Sequence, residues 1–477
     1  MLKKTINICL GIAFVSLSFS ACKTPSTLSR TENISTPANF NNSQDSINSA
    51  QFKWKEYFTD PYLITLIDTA LNNNQELNIM MQEVEVTRNE IRAKKGEYLP
   101  SIDIGAGAEV EKVGEYTRNG SVEKNLEIKP EKEFPEPLSN FTIGAYAKWE
   151  IDVWKKLRNG KKSAVSRYLA SIEGKNFMVT NLIAEIANSY YELLALDNEL
   201  SIVEKNIEIQ SNALKIVRLQ KQSAVVNELA VKRFEAQVLN TKSLQYGIKQ
   251  EIVETENRIN FLVGRFPQKV ERNTNSFNSL IPNEVYAGIP SQLLDNRPDI
   301  KQAEMELEAA KLDVKVAKSR FYPSLGISAG VGLQAFNPKY LTETPQSLAY
   351  SLVGDVVAPL INRSAIKADY YNASSKQVQA IINYEKTILT AYIEVANQLS
   401  NINNLGKSYT LKKEEVETLN KSVTIANNLF KSARADYIEV LLTQEESLES
   451  KFELVETKKK QMNAMVNIYK ALGGGWN

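Results

Sequence analysis

The sequence predicts a mainly α-helical chain of two internal repeats. Each repeat gives one β-hairpin and one long helical hairpin, and the strands belong to a transmembrane β-barrel. Three observations carry this. Four segments, at about 100–110, 141–151, 324–335 and 347–357, alternate between apolar and polar or small residues, the period-two pattern of a strand with two unlike faces. Two stretches without proline, Leu138 to Phe266 and everything after Pro359, carry long runs of helical character. The same order of strand pair, long helix, break and return helix occurs twice.

The stretch from Leu293 to Ala335 shows the switch between the two periods. Leu293-Leu294-Asp295-Asn296-Arg297-Pro298-Asp299-Ile300 opens a helix. Proline near a helix start loses no needed hydrogen bond, and an acid there suits the positive helix end. Lys301 to Arg320 is mostly Ala, Glu, Lys, Leu and Val and continues the helix. Tyr322-Pro323 stops it. Leu325, Ile327, Ala329, Val331 and Leu333 then point one way, and Ser324, Gly326, Ser328, Gly330, Gly332 and Gln334 the other. A tilted strand needs about 9–11 residues to cross a bilayer. The apolar side fits lipid and the small or polar side a wet lumen. A single such strand also fits a half-buried soluble sheet; the other three decide for the membrane.

In chain order, residues 1–21 read as an export signal: Lys3 and Lys4 precede an apolar core from Ile6 to Phe19. Phe19-Ser20-Ala21-Cys22 resembles a bacterial lipobox. In that pattern Cys22 becomes the first mature residue and carries a diacylglycerol and an N-acyl chain. An ordinary signal peptide with an incidental cysteine is the competing reading. Residues 22–50, rich in Ser, Thr and Asn, read as a lipid-anchored flexible tether. The first repeat is placed at 51–265, a proline-bearing linker at 266–298, and the second repeat at 299–477.

In the first repeat, an amphipathic helix begins at Trp54, Phe58 and Asp60-Pro61, breaks around Asn72 to Asn74, and runs toward Gly96. Strand residues Ile102, Ile104, Ala106, Ala108 and Val110 oppose Phe141, Ile143, Ala145, Ala147, Trp149 and Ile151 across a charged loop, 112–137. The run from Ser163 to about Ser223 is a helix of ~60 residues, ~90 Å long, and a return helix follows a break at Ser223 to Asn227. In the second repeat, Leu348, Tyr350, Leu352, Gly354 and Val356 form the fourth strand, and the helical break falls near Ala433 to Asp436. Pro100 corresponds to Pro323 and Gly264 to Gly473. The loop at 112–137 accounts for most of the difference in spacing.

Composition excludes other classes. Lys and Arg total 57 against 56 Asp and Glu, so no basic nucleic-acid surface is indicated. Histidine is absent, which removes the usual metal ligand and general base. Cys9 and Cys22 are the only cysteines, so the body of the chain holds no disulfide or zinc cluster. No nucleophile–base pair stands out, and no enzyme activity or cofactor is expected. No stretch offers the ~20 apolar residues of a spanning helix, so any crossing is made by strands.

Four strands cannot close a barrel, and open edges cannot face lipid. The chain must therefore assemble with copies of itself, for which cyclic symmetry is suited. The strands alone do not choose three copies over two or four. Tyr98, Trp149, Phe321, Tyr322 and Tyr350 lie near strand ends, where they read as interfacial girdles rather than core aromatics.

Several motifs resemble the outer-membrane efflux protein family, the TolC-like exit ducts. They are Leu293-Leu294-x-x-Arg297-Pro298-Asp299-Ile300, Ala303-Glu304, Tyr322-Pro323-Ser324, the ending Ala471-Leu472-Gly473-Gly474-Gly475-Trp476, and the opening Trp54, Phe58, Asp60-Pro61, Leu63. The resemblance covers roughly 51–477. With the lipobox it is nearest to the lipoprotein branch serving resistance-nodulation-division pumps. It implies a homotrimer, a twelve-stranded barrel in the outer membrane continued by a periplasmic helical barrel, and docking to a periplasmic adaptor and an inner-membrane pump. It also implies an acidic ring at the helical tips. The pattern falls on Ile438-Glu439-Val440-Leu441, so that Glu439 aligns with one ring acid, while the next expected acid is Leu442. Asp436 stands in for it, giving a cation-favouring constriction; the competing reading makes both acids solvated tip charges. Arg218 and Lys221 of the first tip are placed to pair with these acids in a closed state.

Among functions, a passive exit channel for small molecules accounts for both strands and helices. Within that class, type I protein secretion is the alternative. A coiled-coil envelope scaffold accounts for the helices but not the strands. An exported enzyme lacks a catalytic cluster.

Overall fold

The computed structural model describes residues 25–26, 30–40, 47–274, 277–282, 285–359, 363–432 and 434–476. The export segment and Cys22 lie outside the described residues. The chain folds into two compact units, and neither corresponds to one sequence repeat. The first takes 86–169 and 305–381; the second takes 32–85, 170–304 and 382–477. Each repeat thus contributes its strands and the strand-proximal ends of its helices to the first unit, and most of its helical hairpin to the second.

The first unit holds a four-stranded antiparallel sheet of order β1-β4-β5-β6. Its strands are β1 (Ser101–Glu111), β4 (Leu138–Ile151), β5 (Ser324–Ala335) and β6 (Leu348–Val357). The two hairpins join through β4 and β5, with Ala147 opposite Ala329 and Ile143 opposite Leu333. The charged loop after β1, expected as irregular, contains a helix α4 (Arg118–Asn125) and a small hairpin of β2 (Glu127–Lys129) and β3 (Lys132–Glu133). The Thr117 hydroxyl caps α4 by accepting from the Gly120 amide at 3.1 Å.

The helices that follow the sheet are the long ones of the sequence reading. α5 runs Lys156–Gln222 and returns as α6 (Glu228–Leu262); α9 runs Ser364–Lys431 and returns as α10 (Tyr437–Ala471). The remaining helices are α1 (Trp54–Tyr57), α2 (Pro61–Asn73), α3 (Gln75–Tyr98), α7 (Gln292–Asn296) and α8 (Pro298–Ser319). The break expected around Asn72 to Asn74 is real: Asn74 separates α2 from α3 with extended backbone.

In the second unit, α1 and α2 pack against α5, α6 and α10 around Tyr57, Phe58, Leu63, Ile67, Ile183, Tyr190, Ile259 and Tyr469. Tyr57 stacks on Tyr469 with ring centroids 4.1 Å apart. Two glycines end the return helices in the same way. At Gly264 (φ +70°) the Arg265 amide donates to the Asn260 carbonyl at 2.9 Å; at Gly473 (φ +92°) the Gly474 amide donates to the Tyr469 carbonyl at 3.0 Å. Both are left-handed helix terminators, a conformation that glycine adopts without steric cost.

The segment read as a flexible tether is docked in part. Phe40 is buried and stacks on Tyr392 of α9 at 5.3 Å. The Asn33 amide donates to Glu385 Oε1 at 3.0 Å. Its Ser, Thr and Asn content suggested a free chain, but one aromatic residue and one backbone donor hold it to a helix.

Candidate functional site: an apolar sheet face and a helical tip

The register fixes what each side of the sheet presents. Ile104 faces Ala145, which faces Val331, which faces Tyr350. One row further, Ile102, Ala147, Ala329 and Leu352 align in the same way. All four strands therefore turn their apolar residues to one face. That face is bare: Ile104 is 85% exposed and Tyr350 83%. An apolar surface of this continuity is not tolerated against water, and it matches the lipid-facing band of a membrane strand.

The opposite face carries Asp103, Tyr146, Gly330 and Ser351 in one row and Ser101, Lys148, Ser328 and Val353 in another. It is polar and small, apart from Leu138, Tyr146, Val353 and Val357. The Tyr146 ring spans its neighbours: a Cβ at Gly105 or Gly330 would meet it at 3.5 or 3.2 Å. These glycines thus make room for a cross-strand aromatic. β1 and β6 each have one unpaired edge, and such edges pair with further strands or stay costly.

In the second unit the two helical tips share one core. Leu214, Val217, Val231, Phe234 and Val238 of the α5–α6 hairpin are buried together with Val440 of α10. Around it, the backbone ends helix α5 in a left-handed turn at Ala224 (φ +59°), where the Val225 amide donates to the Gln220 carbonyl at 2.9 Å. Asp436 occupies the N-cap position of α10 without accepting a side-chain cap bond, and Glu439 sits in its first turn. Both carboxylates are exposed beside the positive end of the helix. Leu442, where a second acid was expected, is exposed as well.

Comparison with known proteins decides between the readings. The description outer membrane efflux protein matches residues 66–265 and 289–474, the bulk of both repeats. The chain belongs to that family. This efflux protein is 28% identical over 435 residues to the solvent efflux pump outer membrane protein SrpC of Pseudomonas putida, covering 91% of this chain and 90% of SrpC. It is 24% identical over 453 residues to the probable outer membrane lipoprotein SilC of Salmonella typhimurium, covering 95% and 93%. Its fold matches the open-state MtrE outer membrane channel of Neisseria gonorrhoeae with a TM-score of 0.82 at 21% identity, over 95% of this chain and 99% of that one. It is accordingly an outer-membrane protein of efflux, built on a channel fold.

The efflux protein's sequence-derived positions are brought together only in part. Glu439 and Asp436 lie within one turn of each other, the Glu439 amide donating to the Asp436 carbonyl at 3.2 Å. Arg218 does not join them: its Nη2 donates to Glu235 of α6 at 3.4 Å, and Lys221 pairs with Glu228. Both cations are used within their own hairpin, where the return helix brings an acid close. Of the five aromatics read as girdle residues, Phe321 is core: it is 1% exposed and lies edge-on to Tyr370 at 5.6 Å. Trp149 and Tyr98 are exposed and linked, the indole Nε1 donating to the Tyr98 carbonyl at 3.2 Å.

One functional support escaped the sequence reading. By alternation along β4, Asp152 falls on the polar side, one residue past the end of the strand. It instead accepts from the amides of Leu157 at 3.1 Å and Arg158 at 2.9 Å, and so anchors the start of α5. The signal was available as an acid one turn before a long helix. Among the described residues no His, Cys, Asp or Glu cluster suits a metal, and no helix is long and apolar enough to cross a membrane.

Proposed function

We propose that this efflux protein is the exit duct of a tripartite efflux system, a homotrimer whose twelve strands close one barrel through the outer membrane. It passes small molecules from an inner-membrane resistance-nodulation-division transporter, through a periplasmic adaptor docked on the helical tips, to the exterior. The observation that supports this best is the sheet: one continuous bare apolar face and two open edges, β1 and β6, on the same four strands. Lipid covers the face, and a neighbouring copy covers each edge. The polar face then lines the lumen. Conduction is passive. Cys22 carries the lipid anchor, and Asp436 and Glu439 of three copies form an acidic ring at the tip entrance.

Reconstitution into planar bilayers tests the duct. Discrete conductance steps are expected from a variant whose tips are opened. A folded protein that gives no conductance and sediments as a monomer in detergent overturns it. Labelling with radioactive palmitate tests the anchor: label is expected on the natural protein and absent from Cys22→Ala.

A further inference from the structure

The loop end of the sheet carries a cluster that the duct does not use. β1 and β5 run in the same direction, so the loops after Glu111 and after Ala335 leave the same end of the sheet. That end is opposite the one where α5 and α9 begin. Phe336, the first residue beyond β5, lies 5.0 Å from Tyr340 between ring centroids. Three ammonium groups surround this pair. Lys129 sits 4.5 Å and Lys339 4.8 Å from the Tyr340 ring, and Lys132 sits 5.2 Å from Phe336 and 5.8 Å from Tyr340.

Two features make the cluster unusual. In the small hairpin Lys129 stands directly opposite Lys132, and Glu127 opposite Glu133. Like charges facing each other across a ladder are destabilising, whereas exchanging them would give two opposite-charge pairs. The sorting therefore has a cost, and the rings hold the three ammonium groups together against it. Second, three of the loop's acids are engaged elsewhere: Glu136 with Lys112, Glu115 with Lys124, and Glu127 with the Glu131 amide. Among the described residues no carboxylate forms an ion pair with Lys129, Lys132 or Lys339. Lys339, by its hydrogen bond, and then the charges of Lys129 and Lys132 hold the Tyr340 hydroxyl below the usual tyrosine range.

We propose that Lys129, Lys132 and Lys339, seated on Phe336 and Tyr340, bind a phosphate group of an anionic glycolipid in the outer leaflet. The position fits. The cluster lies just past the end of the apolar strand face, where lipid headgroups begin and where amphipathic aromatics accumulate. Lysine is a point-charge binder of phosphate, and the rings hold the three ammonium groups together before the phosphate arrives. The site would seat the barrel in its membrane and leave the lumen free. It rests on the membrane reading of the sheet.

The test uses the purified full-length protein in detergent with bisphosphorylated lipid A, counting retained lipid by native mass spectrometry. The natural protein and the variant K129R/K132R/K339R should retain it. The variant K129Q/K132Q/K339Q should lose at least about tenfold in affinity, the order expected when charge-assisted hydrogen bonds are removed. Equal retention by the glutamine variant overturns the proposal. So does equal binding of lipid A with its phosphates removed. Displacement by inorganic phosphate at comparable concentration would make free phosphate, not lipid, the occupant and overturn the lipid assignment. Bilayer conductance, measured with the same lysine substitutions made in a tip-opened variant, separates the two readings: the glutamine form conducts like its tip-opened parent, and silence of both condemns the duct, not the lipid site.

Discussion

Arg297 Nη1 donates to the carbonyl of Ala471 at 2.9 Å, tying the end of the linker to the end of the second repeat's return helix. The first repeat makes the corresponding bond with a different side chain: Asn74 Nδ2 donates to the carbonyl of Leu262 at 2.9 Å. Asn74 lies between α2 and α3 as Arg297 lies between α7 and α8. Leu262 stands two residues before Gly264, as Ala471 does before Gly473. Each side chain satisfies a carbonyl that a helix end leaves without a partner. The duplication thus reaches single hydrogen bonds, but only Arg297 adds ion pairs, to Asp299 and Glu394, both at 2.7 Å.

Arg297 should therefore tolerate substitution poorly. Its side chain is 5% exposed, and its removal strands the partly buried Asp299 carboxylate. Loss of one member of a buried pair costs about 3–5 kcal/mol. Arg297→Ala is expected near the lower end, because Glu394 remains half exposed to water. Arg297→Lys should recover little, since one ammonium cannot reproduce the forked contact with Asp299. Thermal unfolding followed by circular dichroism checks both, and an unchanged midpoint for Arg297→Ala contradicts the assignment.

The paired terminators lead to opposite expectations at three turns. Gly473→Ala puts a Cβ in left-handed backbone and 2.7 Å from the Asn296 carbonyl carbon; a loss above about 2 kcal/mol is expected from conformation and overlap together. Gly264→Ala should behave alike, because its Cβ would strike the Asn73 carbonyl. Ala224 already occupies such a backbone without glycine's freedom, so Ala224→Gly should stabilise the first tip by up to about 1 kcal/mol. Hydrogen exchange at the Val225 amide reads that change locally.

Much of this was legible beforehand, and the misses have a common cause. Alternation at Ile102 to Val110 and Leu325 to Leu333 assigned the faces correctly, since the pleat fixes orientation and a slip of one residue would reverse it. The breaks at Asn74 and at 223–227, and the match of Gly264 with Gly473, were visible because backbone rules are local. Not visible were Phe321 turning into a core, Arg218 pairing with Glu235, and Phe40 docking on Tyr392. Each depends on which residue distant in sequence arrives beside it, and periodicity carries no such information. The short helix at Arg118–Asn125 was hidden by the charge and proline around it.

Glu199, on α5, gives a pH dependence. Burial first, then the nearby Glu456 and Glu251, raise its carboxyl to about 7, and Lys459 opposes them only in part. The folded value lies above the unfolded one, so the folded state binds the proton more tightly. Its contribution to stability is full below the unfolded value near 4.5 and is lost as pH rises through about 7. Glu199→Gln removes the ionisation. The variant should match the natural protein at acidic pH and melt higher above pH 7. A midpoint difference that is constant across pH would exclude Glu199 as the group responsible.

The tip carboxylates test the channel itself. Asp436 and Glu439 are exposed, lack an ion pair among the described residues, and lie at the start of α10 beside the core shared by both tips. In the proposed trimer, symmetry would multiply each by three, and the two acids would form a ring of like charge at the tip. Such a ring concentrates cations at a narrow entrance. Asp436→Ala with Glu439→Ala should bring the cation preference of single channels toward unity, more so at low salt, where screening is weak. Arg218→Ala should leave selectivity unchanged, because that guanidinium is spent on Glu235. If the double variant keeps the natural reversal potential in a salt gradient, the acids are solvated tip charges and the constriction lies elsewhere.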